Sequence, residues 1–309
     1  MKNIICIPFA YEKEKYSGVN IKNIKKTLII YQKNFAVSLI SAKKNNPNDT
    51  VALVTNLDVD MIDSTILKLL EMNNIKILHV EYDSFIFPNK YLWSLAFYKL
   101  CALKYLSNSE YDNICYMDTD VYVQDSFKNI WLETKQNILL YDINHGLGID
   151  DYKTIVDEFS SFLNTKNQYL THFGGEFYAS NRENAKTFIK HCEEIYNEMV
   201  ERNFVTTKGD EFIISIAASS MKTHIKNAGA YIFRYWTGTF RLISTSYKNN
   251  SVTVLHIPSE KEKGIIKIFN KYVSNNKLPS NNRAWKLLHL KRMGIETFFK
   301  MVIKNFIKE

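Results

Sequence analysis

Two aspartates two positions apart stand inside an otherwise apolar run: Asn113-Ile114-Cys115-Tyr116-Met117-Asp118-Thr119-Asp120-Val121-Tyr122-Val123. In extended chain alternate residues share a face, so both carboxylates project together from the end of a buried strand. Two anions that close repel unless a cation lies between them. A hard divalent ion, Mn²⁺ or Mg²⁺, takes oxygen ligands and keeps coordination positions open for phosphate oxygens. An Asx turn with solvated acids has the same spacing, but apolar residues on both sides favour the metal. Other chemistry-bearing residues follow later in the chain. Glu176 comes after Gly174-Gly175, Asp210-Glu211 comes after Gly209, and His256 stands within Thr253-Val254-Leu255-His256-Ile257-Pro258.

These groups need a frame, and the first 140 residues supply one. Short β-branched runs at Ile4–Ile7, Val51–Val54, Ile75–Val80 and Ile114–Met117 alternate with helical patterns at Lys22–Ser41, Asp63–Met72 and Tyr91–Leu106. Strands separated by ten to twenty helical residues predict crossover connections and a mixed, mostly parallel α/β sheet flanked by helices. Ligands of such sheets bind beyond the carboxyl ends of the strands, which here are Phe9–Tyr11, Thr55–Asp58 and Asp118–Asp120. The second half reads as a strand at His172–Ala179, helices at Arg182–Arg202 and Asp210–Ser219, and a strand at Ser251–Ile257. A catalytic domain over 1–264 is expected, followed by a basic helical tail over 265–309. The Asn- and Pro-containing stretch Ser274–Asn282 reads as a linker.

With 309 residues, 46% of them apolar, the chain has material for a large core, which excludes intrinsic disorder. No apolar stretch is long enough to cross a bilayer. Pro8 interrupts the first apolar run, which argues for a buried strand over a secretion signal. Cys6, Cys101, Cys115 and Cys192 are widely spaced, which suggests a reducing, cytoplasmic compartment. The net charge of +8 is concentrated: residues 264–309 hold ten Lys+Arg and two Asp+Glu, so the rest of the chain is neutral. With no basic face of interleaved aromatics, nucleic acid is not an expected partner.

Tyr98-Lys99-Leu100 followed by Tyr111-Asp112-Asn113-Ile114-Cys115-Tyr116-Met117-Asp118-Thr119-Asp120-Val121 resembles the nucleotide-sugar region of GT-A glycosyltransferases, particularly the glycogenin-like family 8. The resemblance implies that Asp118 and Asp120 hold the metal that bridges a diphosphate, with Lys99 nearby. His172-Phe173-Gly174-Gly175-Glu176-Phe177-Tyr178-Ala179-Ser180, then Gly209-Asp210-Glu211-Phe212, is similar to paired motifs of the family 6 enzymes. That likeness implies Glu211 as the carboxylate facing the donor sugar, with Asp210 and Glu176 as the next candidates. Without it, Gly174-Gly175 reads as a bulge and Asp210-Glu211 as the cap and first turn of a helix. Thr253–Pro258 resembles a late family 8 motif, which implies His256 as a third metal ligand and Lys261 as a phosphate contact. Ser259 stands where that family has glycine, and no Lys-Pro follows.

The expected activity is transfer of a hexose from a nucleotide sugar, UDP-linked by preference, to a glycan or lipid-linked acceptor. The resemblance implies retention of configuration, and surface polysaccharide or lipooligosaccharide synthesis as the setting. The nucleotide is assigned to Phe9, Ala10, Tyr11, Asn56, Thr119, Lys99 and Lys261. The rival readings are a metal-dependent phosphoryl-transfer enzyme or nuclease, which would want a third clustered carboxylate, and a non-catalytic membrane-associated scaffold.

In the tail, Ile295, Phe298, Phe299, Val302 and Phe306 share one helical face, with Lys300, Lys304 and Lys308 opposite. Such a helix suits an anionic membrane surface, and residues 282–309 are expected to attach the enzyme peripherally there; removing them is expected to leave a folded chain. The same stripe also suits packing on protein.

Overall fold

The computed structural model describes residues 1–12, 26–87, 93–144, 149–221, 224–237 and 251–290, with residues 299 and 303. The chain runs β1 (Asn3–Phe9), α1 (Thr27–Asn45), β2 (Thr50–Thr55), α2 (Ser64–Met72), β3 (Lys76–His79), α3 (Tyr98–Ser107), β4 (Asn113–Met117), β5 (Val121–Val123), α4 (Lys128–Glu133), β6 (Ile138–Asp142) and α5 (Ile149–Phe162). It continues through β7 (Phe173–Asn181), α6 (Arg182–Glu201), α7 (Asp210–Ser220), β8 (Ile225–Asn227), β9 (Ile232–Arg234), β10 (Val254–His256), α8 (Gly264–Asn275) and α9 (Asn281–Leu287).

The main sheet has seven strands in the order β3-β2-β1-β4-β7-β6-β8. All pairings are parallel except the two made by β7, which runs against β4 and β6. Alternate residues of each strand feed opposite faces, as the pleat requires. Ile5, Ile7, Leu53, Cys115 and Met117 join a core that includes α1, while Ile4, Cys6, Val54, Ile114 and Tyr116 join one that includes α3, α6 and α7. This is the expected mixed α/β architecture. All four cysteines are free and buried.

Local signals set the helix starts. Asp63 caps α2, its Oδ1 accepting from the backbone N–H groups of Thr65 at 2.9 Å and Ile66 at 3.3 Å. Asn181 caps α6 by accepting from the N–H of Asn184 at 2.8 Å. The helix expected over Lys22–Ser41 is seen from Thr27, since residues 22–25 lie outside the described residues. The one expected from Tyr91 begins with a tight turn at Ser94–Phe97, and Tyr91 too lies outside them.

A second sheet of three short strands, β5-β10-β9, stands beyond the end of β4. Its register sets His256 opposite Val121 on one side and opposite Arg234 on the other. The N–H of Ile257 donates to the carbonyl of Asp120 at 3.0 Å, extending the ladder to the second aspartate.

The segment after 264 shares this core. Ile265, Ile268, Phe269 and Tyr272 of α8 and Ala284, Leu288 and Leu290 in and after α9 are buried with α1 and β5 residues. The expected linker is the turn between these two helices. The buried carboxylate of Glu260 ties the ends together, accepting from the Thr237 hydroxyl, from the Gly264 N–H at 3.0 Å, and pairing with His289 Nδ1 at 2.8 Å. A cut at 282 would therefore remove part of the core, contrary to the expectation that such a chain stays folded. Of the amphipathic stripe expected from Ile295, only Phe299 falls within the described residues, and it is exposed. Among the described residues, no helix is long and apolar enough to cross a membrane.

Candidate metal and active site

Asp118 and Asp120 leave the end of β4 as expected. The hydroxyl of Ser38 on α1 lies 2.7 Å from the carbonyl oxygen of Thr119 and 2.6 Å from that of Val121, which fixes the turn between the aspartates. The small sheet then delivers His256, whose Nε2 is 3.4 Å from Asp120 Oδ2 and 3.8 Å from Asp118 Oδ2. One ligand atom from each of Asp118, Asp120 and His256 lies within 4.8 Å of the other two. Two carboxylate oxygens and an imidazole nitrogen suit Mn²⁺ or a similar divalent ion. Asp120 Oδ2 is buried at the centre of this group, within 3.5 Å of both His256 Nε2 and Lys261 Nζ. The donor set fits a divalent metal.

The cluster opens into a cleft of about 400 Å³ beyond the carboxyl ends of β1 and β4. Phe9, Ala10, Tyr31, Lys99, Thr119 and Lys261 line it with the aspartates, and Asp210, Glu211, Arg234 and Trp236 line it too. Lys261 Nζ lies 3.5 Å from Asp120 Oδ2 and 5.4 Å over the Tyr31 ring. Lys99 Nζ lies 3.2 Å from Asp118 Oδ1 and 2.9 Å from Asp210 Oδ2. Tyr11 and Asn56 are not among the cleft-lining residues. They fasten the ends of β1 and β2 to each other, the Tyr11 N–H donating to Asn56 Oδ1 at 2.9 Å and Asn56 Nδ2 to the Tyr11 carbonyl at 3.1 Å.

The three acids proposed for catalysis occupy different environments. Glu176 is 1% exposed and its carboxylate is gripped by a two-bond fork from Arg234, Nε to Oε1 at 2.7 Å and Nη2 to Oε2 at 2.6 Å. Oε1 also pairs with His256 Nδ1 at 3.2 Å. Glu211 faces the cleft, 3.2 Å from Arg234 Nη2 and 3.1 Å from His172 Nε2. Asp210 also lines the cleft and holds Lys99.

Gly174 and Gly175 make this packing possible. The pairing of β6 jumps from Tyr178 to Gly174 between Leu140 and Tyr141, so β7 bulges over Gly175–Phe177 and re-aims Glu176. A Cβ on Gly174 would lie 1.8 Å from Glu176 Oε2, and one on Gly175 would lie 2.1 Å from Asp210 Oδ2. Gly209, at φ +65°, makes the left-handed turn that starts α7.

Charge balance sets the protonation states. Burial opposes ionisation of Asp120, but Lys261 and His256 outweigh it and hold its pKa well below the usual carboxylate range. Glu176 is likewise held low by Arg234 and His256 against burial. Burial also works against Glu211, yet His172 and Arg234 keep its pKa lowered. Asp210 goes the other way: burial, with Glu211 and Asp118 as neighbouring anions, raises it to about 6 although Lys99 pulls it down. His256 is raised to about 9 because Asp120 and Glu176 overcome the cost of burying its charge.

Arg234 and His172 hold the acids of the candidate site, and no sequence argument singled them out. A lone cation within Ile232-Phe233-Arg234-Tyr235-Trp236 was the available signal for the first; a buried cation in an aromatic run requires a partner. His172 opens the Gly174-Gly175 motif, but its contact with Glu211 has no local trace. No protein-family model matches the chain, and no curated protein is detectably similar to it.

Proposed function

We propose that the protein is a metal-dependent glycosyltransferase that moves a hexose from a nucleoside diphosphate sugar, UDP-linked by preference, to a glycan or lipid-linked acceptor. One observation carries this reading. The Asp118–Asp120–His256 cluster shares a cleft with Glu211 and Asp210, so a group of residues suited to a metal and a carboxylate suited to a sugar ring face the same space.

Breaking the anomeric C–O bond leaves negative charge on the diphosphate and positive character on the sugar ring. A divalent ion held by Asp118, Asp120 and His256 would supply Lewis-acid stabilisation to the departing diphosphate. Lys261 and Lys99 flank that position and add preorganised positive charge beside it. Phe9 and Ala10, at the end of β1, give the base an apolar wall. Glu211 is ionised and open to the cleft, which suits it to the positive ring as nucleophile or electrostatic partner. Glu176 is committed to Arg234 and His256, so we assign it no contact with the sugar. The family resemblance supports retention. The charged tail supports a peripheral position on the inner face of an anionic membrane, and the family resemblance supports surface-glycan synthesis as the setting.

The test is direct: incubate the chain with Mn²⁺ and a panel of UDP-, GDP- and CMP-sugars and follow donor hydrolysis. Slow, Mn²⁺-dependent release of one hexose is expected, and NMR of an acceptor product gives the stereochemistry. Absence of any nucleotide binding would overturn the reading in favour of a scaffold.

A further inference from the structure

One buried carboxylate touches both halves of the site. Glu176 accepts the Asp118 N–H on its backbone carbonyl at 3.0 Å, meets His256 Nδ1 through Oε1 at 3.2 Å, and holds Arg234 through both oxygens. Arg234 in turn reaches Glu211 Oε1 at 3.2 Å, and His172 Nε2 stands 3.1 Å from the other oxygen of Glu211. The path from the metal cluster to the cleft carboxylate therefore runs through Glu176 and Arg234. Its parts come from β7, β9, β10 and α7.

We infer that Glu176 is a positioning residue that orients the metal ligand His256 and the cleft carboxylate Glu211 from one point, through two separable arms. This rests on the glycosyltransferase reading above. In the first arm, Nδ1–H of His256 donates to Glu176, which leaves Nε2 as the ring nitrogen aimed at the space between Asp118 and Asp120. In the second, the fork with Glu176 fixes the guanidinium plane, so that the remaining reach of Nη2 sets where Glu211 points. Gly174 leaves the room: a Cβ there would lie 1.8 Å from Glu176 Oε2 and 2.8 Å from Arg234 Nη2. Glu176 has 1% exposure and no place in the cleft lining, so its effect must pass through the residues it holds.

The two arms predict different signatures for three full-length variants, each checked for a native melting transition. Mn²⁺ affinity is measured by calorimetry without nucleotide, and kcat and KM for donor hydrolysis at saturating Mn²⁺. Glu176→Gln should weaken Mn²⁺ binding and lower kcat, each by about 10- to 100-fold, with KM for the donor changed less. Arg234→Lys should lower kcat to a similar extent while Mn²⁺ affinity stays near that of the unaltered chain. Gly174→Ala removes no charge but displaces the fork, and should follow Glu176→Gln on both readouts. Should Glu176→Gln fail to fold, the other two variants carry the test. Unchanged Mn²⁺ affinity in Glu176→Gln or Gly174→Ala, or Mn²⁺ affinity lost in Arg234→Lys with kcat kept, overturns the inference alone. An unaltered chain that binds no Mn²⁺ overturns it together with the function on which it rests.

Discussion

Asp118 and Asp210 share one ammonium group: Lys99 Nζ lies 3.2 Å from Oδ1 of the first and 2.9 Å from Oδ2 of the second. The first aspartate follows β4 and the second starts α7, so the lysine on α3 joins the candidate metal end of the cleft to the end that holds Asp210 and Glu211. A single positive charge divided between two acids leaves each partly uncompensated. Burial, with Glu211 and Asp118 as neighbouring anions, raises Asp210 to about 6 against the pull of Lys99.

Removing the shared charge should move that titration. Lys99 lowers the Asp210 pKa, so Lys99→Met raises it further and shrinks the ionised fraction at neutral pH. If ionised Asp210 is required, the acid limb of the donor-hydrolysis profile stands near pH 6 in the unaltered chain and shifts upward in the variant. A pH–rate profile of kcat/KM checks this; an identical limb in both proteins would show that Asp210 does not govern it.

Loss of either aspartate ligand should abolish Mn²⁺ binding. Asp118→Asn and Asp120→Asn are each expected to cost about 3 kcal/mol of transition-state stabilisation, or about a hundredfold in turnover. Calorimetry with Mn²⁺ and the hydrolysis assay give both readouts. Full turnover in either variant would discard the metal site.

Metal binding should compete with a proton on His256. Its pKa, raised to about 9, means that Nε2 is protonated at neutral pH before a metal arrives. Apparent Mn²⁺ affinity should therefore climb as pH rises toward 9, with proton release on binding, and His256→Gln should flatten the slope. For the metal-free chain the sign is reversed. A raised base stabilises the fold fully below about 6.5 and loses that contribution as pH climbs through 9. Calorimetry in buffers of different ionisation enthalpy counts the proton, and a pH-independent affinity would contradict the ligand role.

The end of the chain should divide at Leu290. Leu288 and Leu290 are fully buried, so ending the chain at 281 empties core positions, each costing about 2–5 kcal/mol on the scale of large-to-small substitutions. A chain of residues 1–290 should melt like the full-length protein, and one of 1–281 well below it. With anionic vesicles, full-length protein should pellet and the 1–290 chain should stay in the supernatant. Equal pelleting by both would remove residues 291–309 as the attachment.

Much of this was readable from the chain. The β-branched runs and helical spacings of the first 140 residues predicted the parallel α/β sheet, because both periods are properties of a short stretch of backbone facing one core. Asp118 and Asp120 were legible for the same reason: two residues apart in extended chain, they share a face whatever surrounds them. The strand expected at Ser251–Ile257 contains β10, whereas the three-residue β9 is too short to show a period and exists because β10, itself paired with β5, offers it hydrogen-bond partners. β9 carries Arg234, so the fork on Glu176 was decided by tertiary pairing, while His256 was already a candidate ligand in the sequence and the small sheet decided its approach to Asp118 and Asp120. The sequence placed Glu176, Asp210 and Glu211 in one group of acids. Their separate environments, one locked, one shared and one open to the cleft, come from cations far away in the chain, and only the folded structure brings those charges within reach.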